Sequence, residues 1–473
     1  MRKSLVVAVA VIVLLLPIAA QGQGSYPPGM VWRSPVVVQN MGDATATVFV
    51  DYYRMSDGAY IPSARETFQL EPGRARAVRP YLNPDPALTD GMYSMVIHGT
   101  RPLAGVVNEL ATGREMAYNA LEPGTRKVFL PNITKHYYGF STPFYIQNSG
   151  DTDATVTIEF FDFNTGNPIE SARRIVVLPP NVSYEYDPAV APNSELPTNK
   201  QYAVVATAGV GQSIVGAVNQ IGRDTDLAYS GFPSGGPNVY LPNMVKGYAG
   251  YITPAVIQNV GTTTAYVNVE YYGFDGTFYP RAGKKDYELK PGRSLPERPW
   301  TYPDNVLPPN KQYSVVVRGR PGDELVAIVN QNRNLADHKD GSAYNGFNEG
   351  AQNIFLPNVV KGYYGYITPI VIQNVGAVTA TVTVRYYDFN TGTEWPNAGL
   401  KNYALAPGRS VAERPWTYSD AALPNNAQYS VVVEGAPGDE LVAIVNQVKL
   451  DSAVDNSSAY EGFRCVAQYG CRR

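Results

Sequence analysis

The residue types that carry most enzymatic chemistry are scattered in this 473-residue chain. Its three histidines, His98, His136 and His338, share no local sequence pattern. A serine or cysteine nucleophile needs a base held beside it, and no stretch marks such a pair. We therefore interpret the histidines as incidental and predict that the protein is not an enzyme and uses no cofactor.

Two groups of oxygen-rich residues have a chemical and a structural interpretation. The adjacent pairs Asp323-Glu324 and Asp439-Glu440 point to opposite faces if extended, which does not suit the facing carboxylates of a glycosidase; we interpret them as turn residues. The phrase DFNTG at 162–166 and 388–392 offers hard oxygens to Ca²⁺. An Asn-Thr-Gly hairpin explains the same letters. We predict the hairpin and no metal site, with calcium as the alternative.

The N-terminus indicates the compartment. Residues 1–22 have two basic residues, an apolar run of Leu5–Leu16 and then small residues, with cleavage predicted after Ala20 or Gly22. This is the pattern of a secretory signal peptide; an uncleaved anchor is the alternative. The protein is therefore predicted to be secreted or held at the cell surface, without membrane insertion after cleavage. In an oxidising compartment Cys465 and Cys471 are expected to form a disulfide.

Charge excludes two classes of partner. The formal net charge is −3 and 17% of residues are charged. The chain has no basic field to hold nucleic acid or an anionic membrane. The partners expected are other cell-surface proteins, a polysaccharide or further copies of the chain.

An aromatic phrase led by lysine occurs three times, as KHYYGF from Lys135, KGYAGY from Lys246 and KGYYGY from Lys361. Tyrosine buries a large ring and keeps its hydroxyl wet, so the rings suit either packing between domains or an exposed platform for a glycan. Pairing of edge strands for self-assembly is a third alternative. We interpret the lysines as solvated or stacked over a ring. The candidate aromatic residues are Tyr137, Tyr138, Tyr248, Tyr251, Tyr363, Tyr364 and Tyr366.

Internal repetition sets the domain organisation. Leu-Pro-Asn recurs at 130–132, 241–243 and 356–358, and the Val-Asn pair ends at Asn108, Asn219, Asn330 and Asn446. A step of this length is a domain rather than a short solenoid repeat. The sequence therefore predicts a signal peptide (1–22), four repeats and a tail, with the repeats at 25–125 (the divergent one), 126–237, 238–352 and 353–463 and the tail at 464–473.

Strand patterns fill each repeat. TATVTVRYYDF at 379–389 alternates apolar and polar residues, which predicts a half-buried strand. DELVAIVNQ at 439–447 is apolar on both faces until Asn446, which predicts a strand covered on both sides. Gln-Asn and Asn-Gln pairs recur once per repeat and are interpreted as ties between strand ends and loops, with ligand contact as the alternative. We predict an all-β chain of four tandem immunoglobulin-like β-sandwiches arranged as beads on a string.

These repeats resemble the extracellular bacterial sandwich repeats of the CARDB type. The resemblance is carried by an Asn-x-Gly turn before a Val-rich strand, as at 374–376, and by a Pro-Gly turn, as at 407–408. The Asn-rich ending typical of CARDB repeats is replaced here by Val-Asn-Gln. The resemblance implies the fold and a surface or adhesive setting. The predicted function is that of a non-catalytic surface rod with a structural or adhesive role; the alternative is multivalent binding of carbohydrate or cell-wall polymer through the tyrosines.

Overall fold

The computed structural model describes residues 25–122, 124–334, 339–449, 454–465 and 471, together with the backbone of 7–13. The described chain is all-β, with short 3₁₀ turns between strands. We refer to the four repeats as copies 1 to 4.

The strands of the first two copies follow one plan. β1 (Val7–Val13) precedes copy 1 in the chain and pairs with its strand β6. Copy 1 contains β2 (Val36–Asn40), β3 (Ala46–Arg54), β4 (Glu66–Leu70), β5 (Ala75–Val78), β6 (Tyr93–Gly99), β7 (Leu103–Ala111) and β8 (Arg114–Asn119), with 3₁₀ turns Pro62–Ala64 and Pro80–Leu82. Copy 2 contains β9 (Lys127–Lys135), β10 (Phe144–Asn148), β11 (Ala154–Asp162), β12 (Arg174–Leu178), β13 (Ser183–Tyr186), β14 (Lys200–Ala208), β15 (Ile214–Ile221) and β16 (Asp226–Ser230), with 3₁₀ turns Glu170–Ala172 and Pro188–Val190.

Copies 3 and 4 add a short strand within the aromatic phrase. Copy 3 contains β17 (Asn238–Lys246), β18 (Tyr251–Ile252), β19 (Ala255–Asn259), β20 (Ala265–Gly273), β21 (Lys284–Leu289), β22 (Ser294–Glu297), β23 (Lys311–Arg318), β24 (Leu325–Asn334) and β25 (Lys339–Asn345), with 3₁₀ turns Tyr248–Gly250 and Pro299–Thr301. Copy 4 contains β26 (Asn353–Tyr363), β27 (Tyr366–Ile367), β28 (Ile370–Asn374), β29 (Ala380–Asp388), β30 (Tyr403–Leu405), β31 (Ser410–Glu413), β32 (Ala427–Glu434), β33 (Leu441–Lys449), β34 (Ser457–Glu461) and β35 (Phe463–Arg464), with 3₁₀ turn Pro415–Thr417.

Each copy folds two antiparallel sheets over one core. In copy 2 the sheets have the orders β13-β10-β15-β16 and β12-β11-β14-β9, and Ile146 of the first sheet shares a core with Val156 of the second. In copies 3 and 4 the short strands β18 and β27 join the two sheets. The alternation predicted for 379–389 is present in β29, where Val382 and Val384 are buried and Thr381 is exposed.

The Gln-Asn pair at the end of β2, β10, β19 and β28 is an internal tie. In copy 4 the Asn374 side chain donates to the carbonyls of Val378 and Leu405, each at 2.7 Å, and accepts from Gly376 N at 2.9 Å. The same three bonds occur at Asn40, Asn148 and Asn259. A buried carboxamide that meets three backbone groups fixes the turn that follows the strand.

The four copies close into a ring, so the predicted beads on a string are wrong. The last strand of each copy packs against the last strand of the next, in the order β8, β16, β25, β34, and β34 then packs against β8. The core of copy 4 continues into copy 1 through Met41, Ala104, Val106 and Ala117. A strand such as Leu441–Val445, buried on both faces, needs this second cover, because the sandwich of its own copy covers one face only.

The same patches form successive interfaces. The serine of the Tyr-Ser strand in one copy reaches the Pro-Gly turn of the next: Ser314 Oγ donates to Gly408 O at 2.7 Å and Ser430 Oγ donates to Gly73 O at 2.6 Å. In copy 1, Ser94 Oγ lies 2.9 Å from Ser183 Oγ of copy 2. Head-to-tail contacts whose rotation closes build a ring rather than a fibre.

Strand β1 takes a special position. It pairs antiparallel with β6, from Val7 opposite Gly99 to Val13 opposite Tyr93. The Leu-Pro-Asn strands β9, β17 and β26 occupy this place in the other copies, on β14, β23 and β32. The rest of the predicted signal peptide lies outside the described residues.

Candidate functional site at the ring axis and between copies

Seven carboxamides and one carboxyl group, drawn from all four copies, form hydrogen bonds between each copy and the next, and we call this set the amide circuit. It consists of Asn108, Glu109, Asn219, Gln220, Asn330, Gln331, Asn446 and Gln447. From copy to copy, Gln220 Nε2 donates to Asn330 Oδ1 (3.0 Å), Gln331 to Asn446 (2.5 Å) and Gln447 to Asn108 (3.0 Å). The last of these bonds joins residues 339 positions apart. The repeated Asn-Gln pair therefore ties copy to copy, whereas the Gln-Asn pair ties each copy internally.

The Leu-Pro-Asn asparagines support this circuit from within each copy. Asn132 donates to Gln220, Asn243 to Gln331 and Asn358 to Gln447, at 2.9 to 3.0 Å. Each therefore orients a glutamine for its contact with the neighbouring copy. Asn132 belongs to a glycosylation sequon, but its side chain is buried and engaged.

Copy 1 departs from the pattern at Glu109. Its Oε2 accepts from Asn219 Nδ2 at 2.8 Å. Glu109 Oε1 and Asn219 Oδ1 are both buried without a hydrogen-bond partner among the described residues. Burial raises the pKa of Glu109 to about 8. A protonated Glu109 can donate to Asn219 and so act as glutamine does in the other copies.

A second set of axial side chains is acidic. Asp455 of copy 4 accepts from Asp226 N at 2.6 Å and from Gly341 N at 3.1 Å, which joins three copies. Burial raises the pKa of Asp226 to about 6, and it raises that of Asp455 well above its ordinary value. Arg114 of copy 1 donates to Asp226 at 2.6 Å. Within the described ranges no cluster of His, Cys, Asp or Glu has the arrangement of a metal site.

A third set lines a cavity of about 330 Å³ at the end of the axis. Its polar lining includes Asn119, Ser230, Asn345 and Glu461, one residue from the equivalent position of each copy. Ser230 Oγ donates to Asn119 O at 3.0 Å, Asn345 Nδ2 to Ser230 O at 2.7 Å and Asn119 Nδ2 to Glu461 O at 2.9 Å. Burial raises the pKa of Glu461 to about 7.

The aromatic phrases divide between the surface and the interfaces. Their first rings form edge-to-face pairs at hairpin tips, Tyr137 with Tyr138 and Tyr363 with Tyr364, with centroids 4.6 and 4.5 Å apart. Tyr138 is 79% exposed, Tyr364 75% and Tyr248 37%. These outer rings are therefore available to a partner.

The last ring of the phrase points toward the axis. Tyr366 Oη donates to Glu115 of copy 1 at 2.7 Å, and Tyr251 Oη donates to Asp340 at 3.1 Å. Burial, followed by the neighbouring Glu115 carboxylate, raises the pKa of Tyr366 far above its usual range. One phrase therefore contributes both to packing between copies and to the exposed surface.

The lysines that lead these phrases are buried, so the interpretation as solvated or ring-stacked groups is wrong. Lys361 Nζ donates to the carbonyls of Tyr418 and Leu423 and to Asp420, at 2.7 to 2.8 Å. Lys246 has the equivalent three partners. Each ammonium group fastens the loop that precedes the Tyr-Ser strand.

The remaining candidate residues have local roles. Asp388 Oδ1 accepts from the backbone of Asn390 and Thr391 at 2.8 to 3.0 Å, which is the hairpin arrangement of the DFNTG phrase. His98 Nε2 lies 3.0 Å from Asp51. Cys465 and Cys471 form a disulfide with Cα atoms 5.8 Å apart. His338 lies outside the described residues.

An open cleft separates copy 4 from copy 1, and we call it the seam cleft. Its volume is about 530 Å³. Its walls include Tyr363, Tyr364, Tyr366 and Gln428 of copy 4 with Arg79, Tyr81 and Leu82 of copy 1. Asn108 and Gln447 of the amide circuit lie at its inner end. The chain therefore places two hairpin-tip tyrosines above a polar floor.

Comparisons with known proteins give weak structural neighbours only. No family model matches the chain and no curated protein matches it significantly, so the CARDB resemblance stays a prediction. Thermotoga maritima 1070 is 24% identical, over 23% of this chain and 94% of that chain, with a TM-score of 0.19. The pilus backbone RrgB of Streptococcus pneumoniae is 10% identical over 52% of this chain and 80% of that chain, with a TM-score of 0.13; its full-length form is 9% identical over 98% and 95%, with a TM-score of 0.10. Such TM-scores carry no functional inference.

Proposed function

We propose that this chain is an exported, non-catalytic structural protein of the cell surface, and that its working form is a closed ring of four immunoglobulin-like β-sandwiches. The observation that supports it is the head-to-tail closure through the amide circuit, which ends with Gln447 donating to Asn108. A ring gives a rigid body, because each copy is held by two neighbours instead of one. This replaces the semi-rigid rod as the structural unit.

The use of the recurring polar groups supports a scaffold. The Asn-Gln pairs and the Leu-Pro-Asn asparagines that recur along the chain are engaged in bonds within and between copies. Buried carboxamides whose hydrogen bonds are made within the protein hold the copies in place, as a scaffold requires. The predicted signal peptide supplies export, and the part of the chain that the structure describes contains no helix long and apolar enough to cross a membrane.

Cutting one connection between copies tests the ring. A protease site inserted between Pro233 and Ser234, both exposed, separates copies 1 and 2 from copies 3 and 4 after cleavage. The nicked protein should sediment as one particle of unchanged mass, and the uncut variant is the control. Separation into two halves under native conditions would refute the ring. Fractionation of the producing cells tests the surface location, and retention in the cytoplasm would contradict it.

A second candidate function is polysaccharide binding, and the exposure of the tip tyrosine of copy 4 favours it. Tyr364 keeps most of its surface in water although it pairs with a second aromatic side chain, and it lines the seam cleft, which Tyr138 does not. An exposed pair of aromatic side chains of this kind can stack on the apolar faces of sugars. The experiment that tests this candidate is the polymer titration at the end of the next subsection.

A further inference from the structure

We propose that the seam cleft binds a polysaccharide that contains acidic sugar units. This inference rests on the second candidate function and deepens it, because it names one site and one chemical class. It stands on three observations: an exposed aromatic ring in an unfavourable backbone conformation, an arginine without an ion-pair partner, and a polar floor between two copies.

The aromatic element is Tyr364. Three-quarters of its side chain is exposed at the rim of the cleft, and Leu82 opposite it is 65% exposed. The wall of copy 1 adds Tyr81, whose ring has the Arg33 guanidinium 5.1 Å from its centroid. Exposed apolar surface on both walls of a cleft is typical of a binding groove. The groove is open, as a polymer that enters and leaves at its ends requires.

The backbone at Tyr364 has a conformation that is unfavourable for a bulky residue, as it does at Tyr138 (φ 49°) of copy 2. Tyr364 has φ 50° and the following Gly365 has φ 81°. Turns of this kind favour Asn-Gly, and a bulky residue at positive φ is rare because its Cβ meets the backbone. Ala249 occupies the same place in copy 3 with φ 51°, so the turn forms without an aromatic ring. Burial does not offset the cost of this conformation, since three-quarters of the side chain is exposed to water.

The exposed charge in the cleft is Arg79, whereas Glu115 of the lining is buried and accepts hydrogen bonds from Tyr366 and Ser458. The Arg79 side chain is exposed, and among the described residues no carboxylate lies within ion-pair distance of its guanidinium. Arg414, at the same position in copy 4, instead donates to Gln312 of copy 3 at 3.5 Å. The nearby Arg76 packs over Phe68 at 4.2 Å. Arg79 is therefore free to pair with the carboxylate of a uronic acid, in the two-bond geometry that guanidinium groups favour.

The floor supplies hydroxyl recognition. Gln428 lines the cleft and donates to Asn358 Oδ1 at 2.7 Å, which fixes the orientation of its carboxamide. Asn108 and Gln447 lie beyond it. Amides held in place by a network present donors and acceptors to sugar hydroxyls without paying to order them at binding.

The test is calorimetric titration of the full chain with polygalacturonate and with its methyl ester, which lacks the charge. We expect the acid polymer to bind and the ester to bind at least tenfold more weakly. Tyr364→Asn should weaken binding at least tenfold while its melting temperature stays equal or rises, since Asn suits the turn. Arg79→Gln should lower affinity for the acid polymer to that for the ester.

The matched control is Tyr138→Asn, which makes the same change at the corresponding tip of copy 2 and should leave binding to the seam cleft intact. No binding of polygalacturonate, equal binding of the ester, or an equal loss in Tyr138→Asn would each overturn the inference. The nicking experiment separates this site from the ring: a chain that stays assembled and binds nothing refutes the site alone.

Discussion

Replacing Glu109 with glutamine isolates the effect of one proton at the ring axis. Glu109 is almost completely buried, and its pKa is raised by burial to about 8 from an ordinary 4.5. An acid whose pKa is higher in the folded state contributes stability that is complete below 4.5 and is lost as the pH rises through 8. Glutamine has no such dependence, so Glu109→Gln should remove this slope.

The expected magnitude follows from the two pKa values. Ionisation of Glu109 lowers the free energy of unfolding of the wild type by about 3 kcal/mol at pH 7 and about 5 kcal/mol at pH 9, relative to pH 3. Glutamine also satisfies Asn219 as Gln220 satisfies Asn330. The variant should therefore equal the wild type near pH 4 and exceed it in stability from pH 7 upward.

The assay is urea unfolding at several values from pH 4 to pH 9, followed by far-ultraviolet circular dichroism. The difference in unfolding free energy between the variant and the wild type isolates the effect of Glu109, because the other carboxyl groups with raised pKa values are present in both proteins. Glu71→Gln, an exposed change in the same copy, is the control and should show no pH-dependent difference. If the free energies of unfolding of Glu109→Gln and wild type differ by the same amount at every pH in this range, Glu109 is not held protonated at the axis.

Four further outcomes are expected. Gly341→Val should weaken the ring and lower the melting temperature by several degrees, since a Cβ there would lie 2.3 Å from Thr225 Cγ2 of copy 2; unchanged melting would contradict the packing. Lys361→Met should cost about 2 to 4 kcal/mol in urea unfolding, because it leaves buried acceptors unpaired, whereas a solvated lysine would cost nothing. A chelator should leave the melting temperature unchanged, since Asp388 accepts from its own hairpin; a drop that calcium reverses would restore the calcium interpretation. If signal cleavage removes β1, amides of β6 should exchange faster in deuterated water than those of β14, and equal protection would mean that another strand covers β6.

Local structure could be predicted from the sequence because short-range patterns determine it. The alternation at Thr381, Val382 and Thr383 and the DFNTG hairpins each depend on neighbours a few residues away. Two of the three hydrogen bonds of Asn374, to Gly376 and Val378, also lie within a short stretch. The third, to the carbonyl of Leu405, joins residues 31 positions apart.

The ring could not be predicted in the same way, since the bond from Gln447 to Asn108 has no local signature. One signal was nevertheless present. The stretch 441–445 is apolar on both faces, and one sandwich covers only one of them. A carboxamide pair ends the equivalent strand in copies 2, 3 and 4. Both features indicate that each copy has a neighbour on both sides, and in an open chain the first and last copies would each lack one neighbour. The seam cleft depends on how two copies that are distant in the sequence meet. The sequence therefore indicated the tyrosines of copy 4 but not Arg79 of copy 1, which lies on the facing wall.

Joining the four copies in one chain has a physical consequence that four separate subunits would not have. Identical subunits must carry the same residue at every equivalent position, but here the equivalent positions on the axial wall hold Asn119, Ser230, Asn345 and Glu461, so one of these four positions carries a carboxyl group. Short connections such as 233–237 keep the copies at high effective concentration, so the interfaces tolerate these differences. The long identical stretches of copies 3 and 4 include 325–331 and 441–447, which pack at the axis, whereas the seam residues Arg79 and Leu82 belong to the divergent copy 1. The two most similar copies therefore share the surfaces that pack at the axis, whereas the seam is built partly from residues of the divergent copy.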